Sequence, residues 1–182
     1  MILTLLILLT LLIYKKGWLL VKTLIAYTTK HGSTKKCGKL LNERLKTKGK
    51  LIDIKKDKAK IKEYDVILLG FSIYAGRAQK EMINFINSNE KVLKNKEIGL
   101  FICCSDEEKS IEFMKENLPN WIYEKAFIKK YLGHEIHFNK MNFLERNIYK
   151  VVAKSKESYS DIKDENIKVL ANEVNKLAGL NE

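Results

Sequence analysis

The chain has 182 residues, 31% of them Asp, Glu, Lys or Arg, and a single proline, Pro119. That length suits one domain with a proper core, and the composition excludes a disordered, low-complexity or repeat protein. The net charge is +12, and the three cysteines, Cys37, Cys103 and Cys104, fit no C-x-x-C spacing, which excludes zinc and iron–sulfur frameworks and suits a reducing, cytoplasmic compartment.

Residues 1–20 stand apart from the rest. Met1 to Ile13 is apolar except for Thr4 and Thr10, and Lys15-Lys16 follows. The run is shorter than the roughly 20 residues of a spanning helix. It also lacks the basic start and small-residue cleavage site of a secretory signal. Read as an anchor, it leaves the lysine pair and the body of the chain on the cytoplasmic face of the membrane. The alternative is that synthesis begins at Val21, because Lys15-Lys16-Gly17-Trp18 can be encoded by a purine-rich stretch resembling a ribosome-binding site and Val21 by GTG. Native peptides from residues 1–20, sought by mass spectrometry, decide between the two.

From Val21 the pattern alternates between short apolar runs and helical spacing. Leu24 to Tyr27 is a first strand, followed by a Gly/Ser/Thr loop. Cys37, Leu40, Leu41 and Leu45 recur at helical spacing, with Gly49 as the stop. Leu51 to Ile54 is a second strand. Asp65 to Gly70 is a third, continuously apolar as a strand covered on both faces should be. A loop at Ser72 to Gly76 leads to a helix marked by Met82, Ile83, Phe85 and Ile86. Ile98 to Cys103 is a fourth strand, and Ile111, Phe113, Met114 and Leu118 mark the next helix. Ala126 to His137 reads as a fifth strand with an interruption near Gly133. The last helix carries Ile167, Leu170, Ala171, Val174, Leu177 and Ala178, then stops at Gly179. Five strands alternating with helices predict an open, doubly wound parallel sheet with right-handed crossovers.

An extra segment, Phe138 to Ser160, separates the fifth strand from the last helix. Within it, Phe143 to Lys154 sets Leu144, Ile148, Val151 and Val152 on one side and Arg146, Lys150 and Lys154 elsewhere. That pattern fits either a docked helix with a solvated face or a basic amphipathic helix resting on an anionic membrane.

The charge is uneven. Lys39 to Lys62 holds ten Lys or Arg against the acids Glu43, Asp53 and Asp57. This is either a solvated lysine face or a surface for an anionic partner, namely membrane headgroups, a polycarboxylate substrate or nucleic acid. Nucleic acid fits worst, because the sequence has no zinc-finger spacing, no RNP-like aromatic strand and no helix-turn-helix pattern.

The loop after the first strand, Thr28-Thr29-Lys30-His31-Gly32-Ser33-Thr34, has the chemistry of a phosphate site. Hydroxyls, backbone N–H groups and a helix N-terminus converge there, and Gly32 permits close approach. It is neither a Walker A loop, which ends in Gly-Lys-Ser/Thr, nor a dinucleotide fingerprint with three spaced glycines. In a doubly wound sheet, ligands sit outside the carboxyl ends of the strands at the switch point. The third strand delivers Ser72-Ile73-Tyr74-Ala75-Gly76 to that edge, an aromatic followed by a glycine. The fourth delivers Cys103-Cys104-Ser105-Asp106.

Thr-x-x-x-Gly-x-Thr, with Thr28, Gly32, Ser33 and Thr34, resembles the flavodoxin phosphate loop. The runs Lys22 to Thr34 and Tyr64 to Gly76, together with the insert before the final helix, are similar to the flavodoxin-type, menaquinone-dependent protoporphyrinogen oxidases. The resemblance covers most of residues 22–182. It implies a flavodoxin-like five-stranded sheet with a helical insert, and bound FMN. The implied cofactor residues are Thr28, Thr29, Lys30, His31, Gly32, Ser33 and Thr34 for the phosphate, then Ser72, Ile73, Tyr74, Ala75 and Gly76. Cys104, Ser105 and Asp106 complete them at the ring edge. It further implies a porphyrinogen substrate, a membrane quinone as acceptor, and a place at the inner face of the membrane. Two departures bear on the substrate. The third loop is short, and the insert exits through Glu157-Ser158-Tyr159-Ser160-Asp161 rather than a Gly-Gly-x-Thr-Asp-Thr-like run. The rival reading is an electron carrier without its own small-molecule substrate, whose expected acidic rim this composition opposes.

No catalytic acid or base is singled out by the sequence, and no metal site is expected. His134 and His137 would point to opposite faces of a strand, which is poor metal geometry. The adjacent Cys103 and Cys104 read as a buried strand end.

Overall fold

The computed structural model describes residues 21–137, 142–144, 146–147 and 158–179. Its main sheet is parallel, in the order β2-β1-β3-β5-β6. These strands are β1 (Thr23–Tyr27), β2 (Lys50–Asp53), β3 (Val66–Tyr74), β5 (Glu97–Cys103) and β6 (Ile128–Tyr131). A short β4 (Arg77–Ala78) folds back antiparallel on β3. Every residue of β1 is buried, because a central parallel strand is covered by helices on both faces and reads as an unbroken apolar run.

Alternation along the strands divides the core in two. Leu24, Ala26, Leu69, Phe71 and Leu100 face one side, where α2 (Lys80–Ser88), α3 (Glu90–Leu93), α4 (Ser110–Asn117) and α5 (Asn120–Lys125) supply Met82, Ile86, Leu93, Met114 and Ile122. Ile25, Leu68 and Phe101 face the other, against Cys37 and Leu41 of α1 (Ser33–Arg44) and Ile167, Leu170 and Val174 of α6 (Asp164–Leu177). The link from β2 to β3 contains no α-helix, only a 3-10 turn at Ile61–Glu63 whose Ile61 is buried.

Several expectations are corrected by packing. Helix α1 ends at Arg44, well before Gly49, since the Asn42 side chain binds both the N–H and the C=O of Gly49 and closes the turn early. Ile111, offered as a core marker, is exposed on α4, and Leu177 is half-exposed on α6. Ser72 to Gly76 is no open loop. Strand β3 runs on to Tyr74, and the turn Ala75-Gly76, both at positive φ (50° and 75°), closes a tight hairpin onto β4, the backbone that a two-residue hairpin requires.

The fifth strand is two strands. Leu132 separates β6 from β7 (Gly133–Ile136), and Gly133 turns the chain with a φ of 85°. Strand β7 leaves the parallel sheet to pair antiparallel with β8 (Tyr159–Ile162), so the last residues assigned to the insert are a strand. Phe143 and Leu144 are exposed, and the expected amphipathic helix otherwise falls largely on residues outside those described. Among the described residues no helix is long and apolar enough to cross a membrane, and residues 1–20 lie outside that set.

Candidate functional site

From β1 the chain passes to β2 on one side and returns to β3 on the other. The switch point therefore lies between the carboxyl ends of β1 and β3. The three loops singled out by sequence follow the carboxyl ends of β1, β3 and β5, and side chains tie the first two together.

Thr28 donates its hydroxyl proton to Gln79 Oε1 (2.6 Å), and Gln79 Nε2 donates to Ser72 Oγ (2.8 Å). Gln79 thus joins the first loop to the second. Asn117 secures the second loop from α4, accepting from the Ala78 N–H (2.9 Å) and donating to the Gly76 carbonyl (3.1 Å). Over the top, the Lys30 ammonium sits 3.2 Å from the centre of the exposed Tyr74 ring, a cation–π contact. Ile73 is half-buried against the core. In the third loop the buried Cys104 thiol donates to the Asp106 carbonyl (3.1 Å), and Asp106 Oδ1 accepts from the Lys109 N–H (3.0 Å). Burial pushes the Cys104 pKa up to about 11, which keeps the thiol protonated. Ser105 is exposed. Cys103 turns away and donates to Cys37 Sγ (3.6 Å), so the neighbouring cysteines occupy opposite faces of the strand end.

The start of α1 is left open. Its N-cap is Gly32, at φ 107°, with no side-chain cap and no acid in the first turn. A Cβ placed on Gly32 would meet nothing within 4 Å. The first amide donors of a helix have no intrahelical partner, and the dipole there is positive. Three of the loop hydroxyls serve the protein itself. Thr28 holds Gln79, Thr29 Oγ1 accepts from the Gly32 N–H (3.0 Å), and Ser33 Oγ exchanges hydrogen bonds with the backbone of Glu135 (3.1 and 3.2 Å). The Thr34 hydroxyl is buried without a hydrogen-bond partner among the described residues. An orphaned hydroxyl, an open glycine N-cap and nearby lysines fit a phosphate group, gripped mainly by backbone amides. His31 is half-buried in the same loop.

Sequence reading missed Gln79, Asn117 and the β7–β8 hairpin. None carries a local signal, because their partners lie far along the chain. The hairpin is clamped to α1 by Glu135, whose buried carboxylate binds Lys36 Nζ (2.5 Å), Ser160 Oγ (2.8 Å) and His137 Nε2 (3.3 Å). Burial alone would raise the Glu135 pKa, but the Lys36 and Ser160 bonds outweigh it and hold the value below the usual range. A depressed folded-state pKa gives stability that is present above the unfolded carboxylate pKa and lost as pH falls through the folded one. Glu135→Gln is therefore expected to cost about 1 kcal/mol at pH 7, given a half-exposed Lys36 partner. Urea midpoints of the two chains should converge as pH falls below the usual carboxylate range, and a constant gap would refute this origin. His134 points away from His137, into a cluster of its own. No group of three or more metal-ligating side chains is assembled among the described residues.

A family model described as Flavodoxin domain matches residues 24–163. No curated protein sequence matches the chain. Among solved structures, a WrbA-like flavodoxin from Agrobacterium tumefaciens is similar at TM-score 0.56 and 14% identity, over 90% of this chain and 100% of that one. A Fusobacterium nucleatum flavodoxin bound to flavin mononucleotide gives 0.52 and 15%, over 85% and 97%. Rubredoxin oxygen:oxidoreductase from Desulfovibrio gigas gives 0.50 and 14%, over 84% of this chain but 36% of that protein, so the present chain spans about a third of its length. At such identities these likenesses concern the fold.

Proposed function

This chain belongs to the flavodoxin domain family, and from that premise we propose that it is an FMN-dependent oxidoreductase. The observation that carries the reading is the convergence of three loops at the β1/β3 switch point around an uncapped helix N-terminus. The residues of Thr28 to Thr34 would hold the phosphate, and Tyr74 and the Cys104–Asp106 loop would flank the ring. Bound FMN supplies reversible transfer of one or two electrons, while the protein orients it and tunes its electronics. Titrating the apoprotein with FMN should quench flavin fluorescence at one equivalent, and a chain that leaves the fluorescence unchanged refutes the reading.

Lys30 is a candidate for tuning, since it bridges two of the loops. A cation about 4 Å from a developing negative charge is worth roughly 1 kcal/mol in a water-like dielectric. Lys30→Gln is thus expected to weaken binding of reduced FMN about fivefold more than binding of oxidised FMN. Parallel titrations under air and under dithionite measure the ratio.

The finer reading is a protoporphyrinogen oxidase that works at the inner face of the cell membrane and passes electrons to a membrane quinone. Its support is the sequence resemblance, the insert carried between β7 and β8, and a net charge of +12. Cationic surroundings suit a substrate with two propionates, a quinone held in an anionic membrane, and a flavin that accepts electrons. Protoporphyrinogen IX supplied with a menaquinone analogue should give porphyrin fluorescence that requires both quinone and FMN. A clean flavin spectrum without turnover above autoxidation points instead to an electron carrier.

A further inference from the structure

The positive charge is concentrated at one margin of the molecule. Lys39 to Lys62, with ten Lys or Arg against three acids, supplies +7 of the net +12. The fold wraps this segment around a single edge, because β2 is an outermost strand of the parallel sheet. On one face of the sheet lies α1, packed through Cys37 and Leu41. On the other lies the link from β2 to β3, packed through Ile54, Ala59 and Ile61. The rim between them is β2 itself, where Lys50 is exposed.

This charge is left uncompensated. Lys39, Lys46, Lys50, Lys56, Lys58 and Lys62 are all exposed. No carboxylate among the described residues lies within 4.0 Å of any of these ammonium groups. Two of the three acids in the segment are engaged with backbone instead. Asp57 Oδ2 accepts from the Asp53 N–H (3.0 Å), and Asp53 Oδ1 accepts from the Lys55 N–H (3.1 Å).

The chemistry of the edge narrows its partner. Its cations are lysines except for Arg44, which is paired with Asp164. Lysine is a hydrated point charge without the planar fork that grips phosphate bidentately. The exposed large apolar side chains of the described residues all lie outside residues 35–62. A single-stranded nucleic acid gains from aromatic stacking, and a protein interface from buried anchors. A layer of anionic headgroups needs neither, because its surface potential attracts each nearby lysine separately. Residues 1–20 also meet the fold at this corner. Lys22 immediately precedes β1, and Leu24 of β1 is paired with Lys50. The apolar run Met1 to Ile13, followed by Lys15-Lys16, therefore joins the fold beside the cationic edge. An apolar segment next to a polybasic patch is the two-signal combination that holds a protein on an anionic bilayer.

We propose that the β2 edge is the face with which this protein docks on an anionic lipid surface. The inference deepens, and for its setting rests on, the membrane placement proposed above, but it requires no bound FMN. Strand direction and sheet edge are perpendicular, so the crevice at the carboxyl ends opens along the membrane surface and stays accessible.

The test is binding of the full chain, without FMN, to vesicles of phosphatidylcholine alone or with about one-third phosphatidylglycerol. Flotation should show at least about tenfold tighter binding to the anionic vesicles, with the preference falling as salt is added. Lys39→Gln, Lys46→Gln and Lys50→Gln combined should abolish most of that preference. Lys48 is left in place because its ammonium donates to the Asn42 and Glu43 carbonyls at the end of α1. A control of equal charge, Lys91→Gln, Lys115→Gln and Lys125→Gln on α3, α4 and α5, should stay within about twofold of wild type. Lys56→Gln with Lys58→Gln, on the other flank of the edge, gives an independent reading and should cost about fivefold. Equal affinity for the two vesicle types, or equal losses from the two triple variants, would overturn the proposal. An oligonucleotide that displaces the chain from anionic vesicles at equal phosphate concentration would assign the edge to nucleic acid and overturn it too. Failure of any of these leaves the flavin reading standing, and failure of FMN to bind leaves this one standing.

Discussion

Gly133→Ala is expected to detach β7 from β8 and to lower stability by about 2–4 kcal/mol. Two separate costs combine. Gly133 has a φ of 85°, a backbone region where an L side chain is strained. In addition, a Cβ there would fall 1.9 Å from the Asp161 carbonyl oxygen, on the partner strand's backbone. Backbone cannot rotate aside as a side-chain tip can, so one strand must withdraw. The hairpin also carries Glu135 to Lys36 and His134 to Tyr159, and both should be lost with the pairing. Urea unfolding gives the energy. Hydrogen exchange at His134 to Ile136 gives the location, and undiminished protection there would contradict the account.

Phe101→Ala is the second large effect, with an expected loss of about 3–5 kcal/mol, a large share of a typical domain's total of about 5–15 kcal/mol. Phe101 is wholly buried at the centre of β5, between the sheet and the layer of α1 and α6. Its ring lies over Gly70, its register partner on β3, where a Cβ would come within 2.0 Å of Cζ. The fit is reciprocal: the glycine makes room for the ring, and the ring fills the space above the glycine. Gly70→Ala alone should therefore also destabilise. Combined with Phe101→Leu it should cost less than the two separate losses added, because the shorter side chain relieves the collision. Strict additivity in thermal or urea unfolding would show that the two positions do not share that space.

Much of this protein was legible without coordinates, wherever the information was local. An unbroken apolar run such as Leu24 to Tyr27 can satisfy both faces only inside a covered parallel sheet. The helical spacing of Ile167, Leu170 and Val174 likewise determined which face of α6 would be buried. The composition of Thr28 to Thr34 raises the expectation of an anion site, although three of its hydroxyls bond within the protein. Fold class and the strand order around the switch point followed from such patterns.

What the tertiary structure alone decided depends on residues far apart in the chain. Asn42 ends α1 early by closing on Gly49, and Ala75-Gly76 converts an expected loop into a hairpin through the pairing of Tyr74 with Arg77. Which loop hydroxyls stay available was settled by Gln79 and by the backbone of Glu135. His134 looked idle in sequence, since its neighbours there offer it no chemistry. It acquires Tyr131 on one side and Tyr159 on the other only because Gly133 turns β7 out of the sheet to meet β8. Periodicity reports the solvent on each side of an element, which is a property of the element itself. A hydrogen-bond partner is a property of a meeting between two elements, and that exists only once the chain has folded.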